Sequence, residues 1–259
     1  MGAEIIISNN FWTSPTRLEQ VGLGAKWKEY ASAGAENALR ARAAINPDAY
    51  VAGGMAPPCL QRKREGRDDP DVVVMGERAF YTEYAEHAKL LAASGVDLVL
   101  AEYLGRIADC PVAVDACAEA GLPVFLGVRQ LREDGSMQYG EHLDDLAEAL
   151  RGHPVDAVLI MCSSPESISA ALPRLKAAFD IPVGAYPNFD YPATAPLAEE
   201  TAEVEAAESE VAQSGDSSPT RLAVFARRWK GMGAQILGGC CATGPEHIQA
   251  MRPIVKGAA

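Results

Sequence analysis

The sequence predicts an α/β fold, either a (β/α) barrel or a doubly wound parallel sheet, on three observations. Seven apolar runs of strand length recur along the 259 residues, amphipathic stretches lie between them, and the runs are continuous rather than alternating. Continuous apolar runs are what strands covered on both faces look like. In chain order the expected strands are Glu4–Asn10, Tyr50–Gly54, Asp97–Glu102, Pro123–Val128, Ala157–Cys162, Pro182–Tyr186 and Ala234–Gly238. Helices are expected over Glu77–Ala93, where Phe80, Tyr84, Ala88 and Leu91 recur at helical spacing, and over Leu143–Leu150 and Ile168–Phe179. Seven strands stand where a closed (β/α) barrel has eight, and the chain opens almost directly on a strand, so the first is the one expected to be lacking. Beyond this alternation no sequence repeat is evident.

Composition narrows the class. A chain that is 48% hydrophobic and 22% charged is expected to be a soluble globular protein with a large core, read as one domain over residues 1–259. A formal net charge of -12 argues against nucleic acid as a partner, because phosphate binding needs a basic face. No apolar stretch approaches the ~18–20 residues needed to span a bilayer, so no membrane is expected. Met1-Gly2-Ala3-Glu4 carries no basic region ahead of Ile5-Ile6-Ile7, unlike a signal peptide. Six cysteines in such a chain read as reduced thiols in the cytoplasm rather than as a disulfide framework. Between Tyr191 and Thr220 lie seven acids and no basic residue, which reads as an acidic surface insertion or a lid. The basic stretch Gln61–Arg67 reads as a solvated loop.

The most telling feature is Cys240-Cys241, set in Leu237-Gly238-Gly239-Cys240-Cys241-Ala242-Thr243-Gly244-Pro245-Glu246-His247-Ile248. Neighbours on a strand point to opposite faces, so two adjacent thiols converge only where the strand has ended and the backbone turns. The glycines before them permit close backbone approach. Thr243 or Gly244 suits a helix cap, with Pro245-Glu246 in the first turn. A buried pair of small hydrophobes is the plain alternative.

Active-site residues of parallel barrels sit at the C-terminal strand ends. Those positions hold Asn9, Asn10, Glu102, Tyr103, Cys162, Tyr186, Asn188, Cys240 and Cys241. Cys162 ends one run as Cys240 ends another, so three sulfurs are placed to meet, and three thiolates with an open fourth position make a catalytic rather than structural zinc arrangement. Glu102 follows four apolar residues and faces a site or caps the next helix. Cys110 and Cys117 read as packing, and His87, His142, His153 and His247 as surface or satisfied histidines, none at a strand end. No G-x-S-x-G elbow, Walker loop or G-x-G-x-x-G after a strand is present.

Together these residues resemble the homocysteine S-methyltransferase family over nearly the whole chain. Gly239-Cys240-Cys241-x-Thr243-x-Pro245-x-His247-Ile248 is similar to the family signature, and Met161-Cys162 stands where the family has its first zinc cysteine, although Asn is usual at position 161. Ala101-Glu102-Tyr103, Tyr186-Pro187-Asn188, Asn10-Phe11 and Gly53-Gly54-Met55-Ala56-Pro57-Pro58 are similar to further family segments. The resemblance implies a TIM-type (β/α)8 barrel whose first strand and Asp-Gly-Gly-like motif are lacking here. It implies zinc on Cys162, Cys240 and Cys241, and a substrate site drawn from Glu102, Tyr103, Asn10, Phe11, Trp12, Tyr186 and Asn188. The implied reaction moves a methyl group from a small onium donor, an S-methylmethionine-like sulfonium or betaine, to homocysteine, giving methionine. A zinc- or thiol-binding protein without turnover and a different metal-dependent barrel enzyme stay open as alternatives, and so does a homo-oligomer.

Overall fold

A computed structural model describes residues 2–58, 75–129, 131–137, 139–190 and 216–257. Most of the acidic stretch, residues 191–215, and the basic stretch Gln61–Arg67 lie outside the described residues. The chain divides into two compact units.

The first unit comprises the described residues of 4–127 and 149–156. It holds β1 (Ile5–Ile7), α1 (Pro15–Glu19), a 3-10 turn (Gly24–Lys26), α2 (Trp27–Ile45), β2 (Tyr50–Met55), α3 (Glu77–Ser94) and β3 (Leu98–Leu104). A second 3-10 turn (Ile107–Asp109), α4 (Cys110–Ala118) and the start of β4 (Val124–Arg129) complete it. β1 pairs parallel with β2, and β2 with β3, in the register Gly54↔Leu100 and Met55↔Ala101. α3 buries Phe80, Tyr84, Ala88 and Leu91, the stripe whose spacing predicted it, and ends at Gly95, whose φ of 97° suits glycine. α2 presents Ala31, Gly34, Ala35 and Ala38 inward. A Cβ at Gly34 would lie 2.8 Å from the Asn9 carbonyl, so only glycine lets the helix come that close.

One device recurs in this unit that the sequence reading missed. The N–H of Asp97 donates to the Val51 carbonyl (2.8 Å) while its carboxylate accepts the Val51 N–H (2.6 Å). Asp156 does the same to Val124, at 2.8 Å in both directions. Both aspartates sit in a Val-Asp-x-Val-Leu stretch, Val96–Leu100 and Val155–Leu159, and each clasps the start of the preceding strand to its own.

The second unit comprises the described residues of 1–3, 128–148 and 157–259. It contains the end of β4, α5 (Leu143–Ala149), β5 (Ala157–Met161), α6 (Pro165–Ala178), β6 (Val183–Tyr186), α7 (Pro219–Gly231), β7 (Ile236–Leu237) and α8 (Pro245–Lys256). β5 and β6 pair parallel with Met161↔Tyr186, and β6 and β7 with Gly184↔Ile236. A Cβ on Gly184 would fall 2.1 Å from the Ile236 carbonyl oxygen, so glycine makes that pairing possible. Ser164 and Ser218 cap α6 and α7 by accepting the N–H groups of Ser167 and Arg221.

Within each unit strand order follows chain order, without the reversal a doubly wound sheet requires. The architecture is α/β, of the (β/α)-barrel class. β5 is buried along its whole length, as its continuous apolar run predicts. The outermost strands depart from that expectation. β1 and β7 are three and two residues long and partly exposed, Ile7 at 43%. Among the described residues each pairs with one neighbouring strand, β1 with β2 and β7 with β6. No described helix is long and apolar enough to cross a membrane.

Candidate metal centre and substrate-binding residues

In the second unit the ends of two strands, β5 and β7, bring three sulfurs together. Cys162 follows β5 directly and is buried; its N–H donates to the Tyr186 carbonyl (3.1 Å) and its φ is 45°. A left-handed conformation is costly for a residue with a Cβ and persists only where the surroundings impose it. β7 is followed by Gly238 and Gly239. The Gly238 N–H donates to Ala185 O (3.0 Å) and the Cys240 N–H to Pro187 O (2.9 Å). A Cβ on Gly239 would meet Thr243 Oγ1 at 2.3 Å, and Thr243 Oγ1 itself donates to Cys240 O (2.6 Å). Ala242, with φ 58°, turns the chain towards α8, which Gly244 caps.

The Sγ atoms of Cys162, Cys240 and Cys241 all lie within 4.8 Å of one another. The Cys240–Cys241 separation is 3.8 Å. A tetrahedral ion held at about 2.3 Å by sulfur needs S–S edges of about 3.8 Å, so the set fits a metal with small adjustments. Asn188 Nδ2 donates to Cys162 Sγ at 3.3 Å. The Asn188 Oδ1 accepts the Asp190 N–H (2.8 Å), which fixes which end of the amide faces the sulfur. The Cys162 thiol is lowered to about 6, first by the hydrogen bond from Cys240, with Asn188, Cys241 and the Arg129 charge assisting against burial. Cys240 is pushed up because it gives its proton to that bond and is partly buried. Cys241 is raised by burial and by the Cys162 charge.

Tyr186 ends β6, buried, with its Oη donating to Met161 Sδ at 3.2 Å. His247 is satisfied: Nδ1 accepts the Gly244 N–H (2.9 Å) and Nε2 faces Ser217 O (2.6 Å).

The first unit holds the other residues singled out by sequence. Glu102 lies in β3 and is buried. A Cβ on Gly54 would stand 2.7 Å from Glu102 Oε1 and 2.5 Å from Ile7 Cγ2, so glycine in β2 leaves room for the carboxylate. Tyr103 follows with φ 70°. Its ring meets Phe11 edge to face at 5.3 Å between centroids, and Phe11 meets Trp12 likewise at 5.2 Å. Trp12 is 47% exposed, and the Arg17 guanidinium lies 4.5 Å from its ring centre. Asn10 is wholly buried. Its Oδ1 accepts from Ser8 Oγ (2.6 Å), and its Nδ2 donates to Ala31 O (2.8 Å) and Thr13 Oγ1 (3.1 Å). His87, fully buried in α3, contacts Thr13 Oγ1 through Nε2 (3.1 Å), and burial lowers its pKa to about 4. Cys110 and Cys117 are buried, the first donating to Arg106 O at 3.2 Å. Sequence reading placed Asn188 among ligand-binding residues; its bond to Cys162 had no signal, because an Asx turn is decided by three-dimensional context.

A family model described as Homocysteine S-methyltransferase matches residues 1–255. The homocysteine S-methyltransferase of Escherichia coli (strain K12) is 29% identical over 266 residues, covering 97% of this chain and 79% of that protein. The methionine synthase of Mycobacterium leprae (strain TN) is 28% identical over 258 residues, 96% of this chain but 20% of that protein. Among solved structures, the homocysteine methyltransferase MmuM from Escherichia coli superposes in its oxidized form with a TM-score of 0.72 at 26% identity. Its metallated form gives 0.74 at 25% identity, and each covers 97% of this chain and 79% of that one.

Proposed function

The chain belongs to the homocysteine S-methyltransferase family, and from that premise we propose that it is a zinc enzyme transferring a methyl group from a small onium donor to homocysteine, giving methionine. An S-methylmethionine-like sulfonium is the first choice of donor and betaine the second. The observation that carries the reading is the meeting of three cysteine sulfurs within 4.8 Å at strand ends. Cys162, Cys240 and Cys241 would hold the ion. Zinc held by these three thiolates would supply the acidity that lets a substrate thiol lose its proton near neutral pH.

The protein's own residues supply the rest. Asn188, donating to Cys162 Sγ, keeps one ligand deprotonated and oriented. Glu102, buried behind Gly54, holds the ammonium of homocysteine, a role that needs only the ordinary carboxylate charge. The rings of Phe11, Trp12, Tyr103 and Tyr186 attract an onium cation, at ~0.5–2 kcal/mol each. Asn10 supports Phe11 and Trp12 from beneath through its bonds to Ser8, Thr13 and Ala31.

The homocysteine sulfur, its proton lost to solvent, attacks the methyl carbon. A C–S bond forms as the bond from methyl to the donor's cationic sulfur or nitrogen breaks with its electron pair. The donor leaves neutral, so no general acid is required.

The test is metal content and turnover of protein purified under reducing conditions. About one zinc per chain, and methionine from homocysteine with S-methylmethionine or betaine, are expected. A zinc-loaded chain that forms no methionine with either donor overturns the reading.

A further inference from the structure

We propose that Phe189, Arg221 and His247 form a clamp that positions the three-cysteine centre, acting on Cys241 and on Asn188; the inference rests on the metal-binding reading. Phe189 follows directly on Asn188, and its N–H donates to the Cys241 carbonyl at 3.3 Å. It is thus tied to one ligand loop by its backbone and adjoins the residue whose amide reaches the sulfur of the other. Its ring is held from two directions. The Arg221 guanidinium carbon lies 5.2 Å from the ring centre, and the His247 ring stands 6.2 Å away, tilted by 38°.

Each jaw of the clamp is anchored in turn. Arg221 forms a buried pair with Glu166 of α6 (2.5 Å) and donates to Asp216 O (2.8 Å). His247 spans Gly244, the residue that closes the cysteine loop, and Ser217. Because Nδ1 accepts the Gly244 N–H, the ring proton sits on Nε2 and donates to Ser217 O. The stretches Asn188–Asp190 and Asp216–Ser218 are therefore both fastened to the loop that carries Cys240 and Cys241. Cys241 is the exposed member of the sulfur set, and its carbonyl is held by the Phe189 N–H.

Cobalt(II) reports the centre without turnover, through the dissociation constant and the sulfur-to-cobalt charge-transfer band. In Phe189→Ala the cobalt dissociation constant should rise about 10-fold or more, the size expected when a group orienting a ligand is lost, with a weakened band. Phe189→Tyr should restore both. Leu146→Ala, in the fully buried core of the same unit, serves as a control for destabilisation alone and should bind cobalt as the wild type does. If Phe189→Ala does not fold, Arg221→Lys carries the same test, since it keeps a cation beside Glu166 but loses the planar stack. Cobalt binding within twofold of wild type in the clamp variant overturns the clamp, as does an equal loss in Leu146→Ala. A wild-type chain that takes up no cobalt overturns the metal-centre reading itself, a result distinct from either.

Discussion

The sulfur cluster of one unit and the carboxylate with its aromatic neighbours in the other are built on opposite plans. Glu102 sits within a seven-residue strand, buried and one residue before left-handed Tyr103, and the space for it is cut by the absent side chain of Gly54 on the adjacent strand. The three cysteines sit just beyond strand ends, in loops that include left-handed Cys162 and Ala242 and are tied by single backbone hydrogen bonds. A charge that must stay fixed relative to a ligand suits a rigid strand. Sulfurs that must close around an ion to a common distance gain from loops that adjust by about an ångström, as the fit to a tetrahedral edge requires. The contrast teaches that one region is organised by packing, while the other, on the metal-centre reading, would be completed by a bound ion.

The largest effect should come from breaking the ligand-completed side. Cys162→Ser or Cys240→Ser should lower metal content to a small fraction and reduce turnover by at least ~100-fold, measured by metal analysis and methionine formation. Retained activity in either would mean that the sulfurs do not hold the ion. Glu102→Gln should instead leave metal content unchanged while raising the KM for homocysteine ~10–100-fold, the worth of a hydrogen bond to a charged group. Metal loss in that variant would show the two regions to be less separable than their construction suggests.

Gly54→Ala sharpens the packed side. A methyl group 2.7 Å from Glu102 Oε1 and 2.5 Å from Ile7 forces a shift, costing about 1–3 kcal/mol in unfolding free energy, and should raise the KM for homocysteine with metal binding intact. The smallest effect at neutral pH concerns His87, which meets Thr13 and Trp27. Its folded pKa of about 4 lies below the unfolded value near 6.5, so the unfolded chain binds the proton first. Stability is complete above pH 6.5 and declines as pH falls towards 4, by ~3 kcal/mol in all. His87→Phe should flatten that acid limb in denaturant titrations run between pH 4 and 7; an unchanged limb would remove His87 as its cause.

The strands were legible because buried parallel strands write themselves as unbroken apolar runs, and Ala157–Met161 came out to within one residue. Where the sheet ends, as at Ile236–Leu237, the same apolar signal overstated strand length, since composition does not record whether a partner is present. The cysteines announced themselves by type and adjacency. What could not be read was conformation: nothing in Tyr103, Cys162 or Ala242 advertises a positive φ, because the surroundings impose it on residues that ordinarily avoid it. Asn10 shows the complementary gap. A polar residue at a strand end looks available for a ligand, yet its amide is committed to Ser8, Thr13 and Ala31.

The paired aspartate clasps carry a consequence for how the functional groups come to stand where they do. Parallel strands lined with smooth valine and isoleucine faces have little to stop them sliding along one another, and a slip of one residue reverses every side chain. Asp97 and Asp156 each act as a stop, since the two bonds to Val51 and to Val124 form at one offset only. Measured from these stops, Glu102 lies five residues on and Cys162 six. At about 3.3 Å per residue, each aspartate serves as the zero of a short ruler. The height of the carboxylate and of the first sulfur is set from the far end of the strand, five and six residues away.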